Sequence, residues 1–322
     1  MKQVMFETGD SALDVDETQT GLIWKIDRFA IHDGPGIRTN IYFKGCPLRC
    51  LWCANPEGQE PGKELAFLES RCVRCGLCFD SCPHGALGPK SGLPSIDYSK
   101  CNLCERCVSS CTTHALYVFG EFYRISQLMD IIERDRHIYR RSGGGITCTG
   151  GEPLLQAKFL ELLLRKCRER GIHTVLETCG YSDENRFRNV LTNVDWLFFD
   201  LKSVNSNQHI KLTGCHNQNI LNNLVAASRF LGDAKKTLVV RQVIVPSLND
   251  GENINALTEL VAKLPHVDMV ELLPYHNYGS YKYHALKRNY QLDDIDPPSE
   301  SNMEKYKMIV ESRGLKCRIV SL

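Results

Sequence analysis

A chain of 322 residues with 43% hydrophobic and 24% charged residues has a globular composition and room for one large α/β domain plus a smaller module. Its net charge of +1 gives no electrostatic case for a polyanionic partner, so nucleic acid is not expected. The first 20 residues are polar and acidic (Glu7, Asp10, Asp14, Asp16, Glu17) and no apolar run reaches the length of a bilayer span, so a cytoplasmic monomer without membrane attachment is expected, with residues 1–20 as an extension.

Sixteen cysteines in such a chain point to metal rather than to disulfides. The first predicted strand, 39–43, runs into Gly45-Cys46-Pro47-Leu48-Arg49-Cys50-Leu51-Trp52-Cys53. The C-x3-C-x2-C spacing can hold three irons of a cuboidal cluster and brings no fourth thiolate. One iron is thereby left open to a substrate or cofactor, as in catalytic rather than structural metal sites. On spacing alone, a zinc knuckle or a set of buried thiols is the alternative.

Next come Cys72, Cys75, Cys78 and Cys82, the last followed by Pro83, and the same spacing returns 29 residues later as Cys101, Cys104, Cys107 and Cys111. A duplicated C-x2-C-x2-C-x3-C run is the two-cluster ferredoxin pattern, in which the fourth cysteine of each half serves the other half's cluster. The pattern assigns Cys72, Cys75, Cys78 and Cys111 to one 4Fe-4S cluster, and Cys82, Cys101, Cys104 and Cys107 to the second. Zinc is the alternative, although it needs only paired C-x2-C hairpins. Thr112 stands where the second half lacks the proline that follows Cys82. The module covers residues 64–120, with turn residues Pro83, Gly85, Gly88, Pro89, Gly92 and Pro94, and interrupts a domain made of residues 21–63 and 121–322.

Beyond the insert, predicted strands at 145–149, 174–177, 196–200, 238–245 and 270–273 alternate with helical patterns, which predicts a parallel sheet with crossover helices. One helix is expected over 154–170, with Leu155, Phe159, Leu162 and Leu163 on its apolar face. The last begins with a capping box at Ser301-Asn302-Met303-Glu304 and stops before Gly314. Polar or glycine-rich motifs follow nearly every strand: the Cys46 loop, Gly150-Gly151-Glu152, Thr178-Cys179-Gly180, Asp200-Leu201-Lys202 and Pro274-Tyr275-His276. In a parallel barrel such strand ends share one mouth. The expected fold is therefore α/β, a partial (β/α)6 TIM-like barrel with an inserted bacterial ferredoxin-like domain. Cys148, Cys167, Cys179, Cys215 and Cys317 fall outside the cluster sets and carry no assigned role.

Taken in order, His32-Asp33-Gly34-Pro35-Gly36-Ile37-Arg38, the cysteine triplet, Ser142-Gly143-Gly144-Gly145, Thr149-Gly150-Gly151-Glu152-Pro153, Glu177-Thr178-Cys179-Gly180, Asp200-Leu201-Lys202 and Leu272-Leu273-Pro274-Tyr275-His276 resemble the radical S-adenosylmethionine superfamily. Within it they are similar to the activating enzymes of glycyl radical enzymes, over nearly the whole chain from about Gly21. The resemblance implies that S-adenosylmethionine chelates the open iron at Cys46, Cys50 and Cys53 through its amino and carboxylate groups. It implies that Trp52, Cys53 and Ala54 lie against adenine, that Gly150 and Gly151 meet the methionine amine, and that Glu152 orients that end. Lys202 and Arg241 are implied at the methionine carboxylate and His276 at the ribose or carboxylate, with Thr178, Asp200 and Leu201 completing the cofactor site. Glu177, Thr178, Asp200 and the Phe198 carbonyl correspond to a monovalent-cation site of pyruvate-type activators, with Glu177 in place of an aspartate. Asp33 is implied as the catalytic-site residue that accepts backbone hydrogen bonds from an incoming glycine loop. From the residues alone, Gly150-Gly151 also reads as a strand-to-helix turn, and lone cations as structural or solvated side chains.

The implied cofactors are three 4Fe-4S clusters and S-adenosylmethionine, with flavodoxin or ferredoxin as reductant. The implied reaction cleaves S-adenosylmethionine to methionine and a 5′-deoxyadenosyl radical, which takes hydrogen from one glycine of a large partner enzyme. The insert resembles that of activators serving choline lyase, diol or glycerol dehydratase, isethionate lyase, arylacetate decarboxylase or benzylsuccinate synthase. Electron relay is its expected role and partner docking the rival one. A radical enzyme acting on a small molecule and a multi-cluster electron-transfer protein are the competing functions.

Overall fold

A computed structural model describes residues 19–320, so residues 1–18 of the expected extension lie outside the described residues. The chain opens with an antiparallel pair, β1 (Thr20–Ala30) and β2 (Arg38–Phe43). β1 escapes a periodicity reading because its register slips twice, between Ile23 and Lys25 and between Arg28 and Ala30, and each slip breaks the alternation of faces.

Residues 64–119 build two small antiparallel ribbons. β3 (Glu64–Phe67) pairs with β6 (Leu116–Phe119), while β4 (Leu87–Lys90) pairs with β5 (Leu93–Ile96). Leu65, Phe67, Leu87, Ile96, Ala115 and Leu116 form an apolar cluster separate from the main core. The sequence duplication is also a backbone duplication. The one-turn helices Leu77–Asp80 and Arg106–Ser109 occupy equivalent positions, and left-handed residues recur at Arg74 and Leu103 (φ 58 and 57), Gly76 and Glu105 (79 and 60), and Gly85 and His114 (58 and 52). The two halves meet where Ser81 Oγ and Ser110 Oγ lie 2.8 Å apart.

β7 (Glu121–Arg124) returns to pair antiparallel with β1. β8 (Gly145–Gly150), β9 (His173–Thr178), β10 (Trp196–Asp200), β11 (Thr237–Ile244), β12 (Met269–Pro274) and β13 (Cys317–Ile319) then follow, giving a nine-stranded sheet in the order β13-β12-β11-β10-β9-β8-β2-β1-β7. From β2 to β13 every pairing is parallel and neighbours follow chain order, so the winding keeps one direction. The result is an α/β chain with a mixed, mainly parallel sheet. Among the described residues no helix is long and apolar enough to cross a membrane.

Strand alternation then sorts the side chains. Ile41, Ile146, Leu176, Leu197, Phe199, Leu238, Val240, Val270 and Leu272 join the main core with apolar residues of the helices Ala157–Glu169, Glu184–Leu191, Gln218–Asp233 and Glu252–Val261. The opposite parity carries Asn40, Tyr42, Thr147, Thr149, Glu177, Asp200 and Arg241. One face of the sheet is thus apolar, while the other carries these polar groups beside a small apolar cluster of Val175, Phe198 and Val239.

Two expectations change at helix ends. The segment expected to be helical over 154–170 starts as a 3-10 turn, Pro153–Gln156, before the α-helix Ala157–Glu169. The last helix is Glu300–Glu311, and its cap is Ser299, not Ser301, because Ser299 keeps an extended backbone while its Oγ accepts from Asn302 N at 3.2 Å. Ser299→Ala should therefore cost about 1 kcal/mol, read as a lower urea midpoint, whereas Ser301→Ala should stay within about 0.5 kcal/mol of the parent.

Candidate functional site

Because β2 and β8 are parallel neighbours, the Cys46 loop and the Gly150-Gly151-Glu152 turn leave the sheet side by side. Backbone bonds zip them together: Gly151 N donates to Phe43 O (2.8 Å) and Glu152 N to Gly45 O (2.7 Å). Gly45 N and Cys46 N then donate to Gly58 O and Gln59 O, both at 2.8 Å. Only glycine allows this approach. A Cβ at Gly150, whose φ is +117°, would lie 2.5 Å from Phe43 N, and one at Gly151 would lie 2.3 Å from Gly45 O.

The loop is held from two other directions by segments that sequence reasoning passed over. Arg49 N and Leu51 N donate to Thr213 O and Leu212 O, at the end of the helix Ser206–Thr213. From the helix Ser280–Ala285, Tyr283 Oη donates to Cys53 O and Lys282 Nζ to Ala54 O, each at 3.0 Å, while Lys282 also pairs with buried Glu57 at 2.8 Å. No local pattern announces a clamp more than 200 residues away in sequence.

Cys46, Cys50 and Cys53 line an open cleft of ≈ 1120 Å³ together with Trp52, Ala54, Gly150, Gly151, Glu152, Glu177, Thr178, Asp200, Lys202, Arg241 and His276. Leu201 is the exception among the expected cofactor contacts. It shares the parity of Leu197 and Phe199, and its side chain is buried in the main core. Burial pushes all three thiols up, Cys46 well above its ordinary value and Cys50 to about 12, and neighbouring cysteines add to the rise at both. Such thiols become thiolates when a metal centre supplies positive charge. Among the described residues no group of three or more His, Cys, Asp or Glu is arranged to hold a metal ion.

A four-charge array forms the polar wall. Arg241 donates through Nη1 to Glu177 Oε1 (2.9 Å) and through Nε to Asp200 Oδ1 (3.0 Å). Lys202 Nζ donates to Asp200 Oδ2 (3.1 Å), and Thr149 Oγ1 to Glu177 Oε2 (2.6 Å). Burial pushes Asp200 up, but Lys202 and Arg241 outweigh it and hold the carboxyl below its usual range. At Glu177 burial dominates, and the carboxyl stays above that range despite Arg241. All four carboxylate oxygens are engaged and two anions face two cations. Glu177, expected at a monovalent-cation site, has Arg241 as its ion-pair partner at 2.9 Å. Lys202 and Arg241 still hold N–H groups beyond those used here, suited to a ligand carboxylate.

Glu152 is 1% exposed and its oxygens are saturated. Oε1 accepts from Thr178 Oγ1 (2.6 Å) and Leu154 N (3.0 Å), and Oε2 accepts from Cys179 N (2.8 Å) and Cys179 Sγ (2.9 Å). Glu152 thus braces the turn after β8 against the end of β9. Cys179, given no role from sequence, lines the same cleft as a partner in this brace. Burial and Lys282 push His276 below its ordinary value, and Tyr278 N donates to its Nδ1 at 3.3 Å. The imidazole is then neutral with its proton on Nε2.

The insert cysteines fall into two further cavities. Cys72, Cys75, Cys78 and Cys111 line one, and Cys82, Cys101, Cys104 and Cys107 line another. Each cavity takes its fourth cysteine from the other half of the duplication. Burial pushes Cys82 and Cys111 up, but backbone N–H groups that follow each of them outweigh it and bring both below their ordinary value. Ala86 N reaches Cys82 Sγ at 3.3 Å and Ala115 N reaches Cys111 Sγ at 3.2 Å.

Asp33 lies outside the residues lining the cleft. Its carboxylate accepts from Asn40 Nδ2 and its carbonyl accepts from Thr147 Oγ1 (2.7 Å), so its loop is seated at the start of β2. Gly36 packs against the backbone of Ser142 and Gly144, which joins two of the quoted motifs.

Comparison with known proteins matches residues 99–260 to the radical SAM superfamily and residues 66–88 to a 4Fe-4S binding domain. An indoleacetate decarboxylase activating enzyme of Tractidigestivibacter scatoligenes is 37% identical, covering 92% of this chain and 96% of that one. An isethionate sulfite-lyase activating enzyme of Desulfovibrio desulfuricans is 38% identical over 87% and 91%. A trans-4-hydroxy-L-proline dehydratase activating enzyme of Clostridioides difficile is 35% identical over 92% and 98%.

Arg241→Met leaves two partly buried carboxylates short of a cation and should destabilise the chain by up to about 3 kcal/mol near neutral pH. In the parent, the depressed value of Asp200 contributes stability that is complete above the ordinary carboxylate range and lost as pH falls through the depressed value. In the variant both carboxylates protonate at higher pH. The gap in urea midpoints between the two proteins should therefore narrow as pH is lowered from 7 to 5.

Proposed function

The chain belongs to the glycyl radical enzyme activating enzymes of the radical S-adenosylmethionine superfamily, and from that premise we propose how its residues divide the work. It activates a partner glycyl radical enzyme. When bound, its 4Fe-4S cluster and S-adenosylmethionine supply reductive cleavage to methionine and a 5′-deoxyadenosyl radical, which takes hydrogen from the α-carbon of a partner glycine.

In this reading residues 21–63 and 121–322 form a partial (β/α)6 barrel and residues 64–120 a ferredoxin-like insert. Three clusters are held, at Cys46, Cys50 and Cys53, at Cys72, Cys75, Cys78 and Cys111, and at Cys82, Cys101, Cys104 and Cys107. The main support is that eleven motif cysteines line three separate cavities, two with four cysteines and one with three motif cysteines in an open cleft.

Lys202 and Arg241 direct their remaining donors at the methionine carboxylate, and the Nε2–H of His276 serves the same end of the ligand or its ribose. Trp52, Cys53 and Ala54 flank the adenine. Gly150 and Gly151, kept in place by the Glu152, Thr178 and Cys179 brace, bring backbone close to the amine. Asp33, oriented by Asn40, receives backbone N–H groups of the partner's glycine loop. The relatives named above serve a decarboxylase, a sulfite-lyase and a dehydratase, which favours recognition of a glycine loop over recognition of a metabolite. The working unit is a cytoplasmic monomer, reduced by flavodoxin or ferredoxin through the insert.

Anaerobic incubation of the cluster-loaded protein with S-adenosylmethionine, dithionite and a candidate partner should give a glycyl doublet by electron paramagnetic resonance. Failure with every such partner, despite 5′-deoxyadenosine release, would overturn the assignment. Cys53→Ala should lose about one third of the iron and all 5′-deoxyadenosine formation. Cys104→Ala should slow the flavodoxin-driven reaction and spare the dithionite-driven one. An unchanged flavodoxin rate would refute the relay.

A further inference from the structure

The duplication supplies a control within one molecule. The loops 72–78 and 101–107 share their left-handed residues and their short helices, and Cys75 and Cys104 occupy equivalent, exposed positions. Their rims nevertheless differ. Around Cys75, Val73 is 66% and Leu77 is 48% exposed, with Arg74 between them. The equivalent residues around Cys104 are Asn102, Leu103 and Arg106, and Leu103 is half-buried. One loop therefore presents apolar side chains to solvent where its twin presents polar ones.

One contact also distinguishes the loops. Glu105, beside Cys104, pairs with Lys63 at 3.0 Å, and Lys63 lies on the strand of chain that leaves the Cys46 loop through Gln59. The second loop is thus tied through Lys63 to the chain that leaves the Cys46 loop. Next to the Cys75 cavity, and sharing Phe67 and Pro94 with it, an open groove of ≈ 1040 Å³ runs between β5 and the helix Ser280–Ala285. The groove has one carboxylate, Glu69, against Lys90 and Lys287, which lie close enough to repel. Among the described residues Arg74, Lys90 and Lys287 form no ion pair.

An exposed apolar pair at an exposed cysteine, with Arg74 between them and a groove carrying Lys90 and Lys287 next to the cavity, suits a transient redox encounter. Charge steers the approach and apolar contact excludes water where the electron crosses. We propose that Val73, Arg74 and Leu77, with Lys90 and Lys287, are the docking face for an acidic, low-potential one-electron carrier protein. The carrier loses one electron and the centre held by Cys72, Cys75, Cys78 and Cys111 gains it, with no bond made or broken and no proton moved. The second loop, on the side of the catalytic frame, passes it inward. The inference deepens the relay reading and rests on the assignment of that cavity as a cluster site.

The test measures binding of flavodoxin to the anaerobic, cluster-loaded chain by calorimetry, alongside iron content and dithionite-driven 5′-deoxyadenosine formation. Val73→Glu, Leu77→Glu and Arg74→Glu should each weaken flavodoxin binding tenfold or more, with iron content and the dithionite-driven rate unchanged. Arg106→Glu and Asn102→Glu, at the twin positions, should stay within twofold, and affinity should fall as salt is raised. Parent affinity in the first three variants, equal loss in the twin variants, or no flavodoxin binding by the parent chain overturns the proposal. Cys75→Ala separates the two levels. Undiminished iron there refutes the cluster assignment, whereas the binding series judges the docking face by itself.

Discussion

The backbone pairing of the Cys46 loop with the turn after β8 is the constraint on which the site depends. It requires the residues after β8 to have no side chain, because Phe43 and Gly45 pass where a Cβ would stand. It also fixes three cysteines relative to a sheet whose strands are already set by their own ladders. A loop of this kind, left to itself, would sample many conformations at a cost of roughly 1–2 kcal/mol per residue to order. Here parallel neighbours, a helix end and a helix late in the chain share that cost. Such bracing is the kind of support that positioned chemistry needs.

The second layer of organisation is electrostatic. The sheet turns one face of alternating residues toward the cleft, and there charged groups are matched almost one to one: Glu177 and Asp200 with Arg241 and Lys202, while Glu152 is satisfied by neutral donors. Each oxygen of Glu177 and Asp200 already accepts one bond, and cationic N–H groups are left over. Those free donors suit the carboxylate end of a zwitterionic ligand. Buried ion pairs of this sort add little net stability, and they are better understood as fixing orientation.

Much of the arrangement can be read from residues in order because the information is local. Strands buried on the helix side appear as short β-rich runs, the cysteine spacings carry ligand geometry directly, and polar motifs at strand ends converge once the strands are parallel. Where the governing contact is remote, reading fails. Lys282 and Tyr283 hold the Cys46 loop without any motif to say so. Cys179 looks like one more small buried thiol until the Glu152 carboxylate is found beside it. At Glu177 the residue type suggested a cation ligand, but only coordinates reveal that its ion-pair partner is Arg241. Leu201 sits inside a motif yet points the other way, as strand parity alone would have warned. Ser299 and Ser301 are equally good caps on paper, and backbone conformation decides between them.

The clamp from the helix Ser280–Ala285 also bears on how the protein is made. Residues 64–119 form their own apolar cluster from contacts near in sequence and can settle soon after they leave the ribosome. The Cys46 loop emerges earlier still, but its last fastenings, Lys282, Tyr283 and Arg288, arrive more than 200 residues later. During synthesis the Cys46 loop thus carries the first cysteines out, and it waits for most of the chain before it is fastened. The fastening of that loop is bound to synthesis of the helix Ser280–Ala285, so a product stalled before it would carry the folded insert beside an unfastened Cys46 loop.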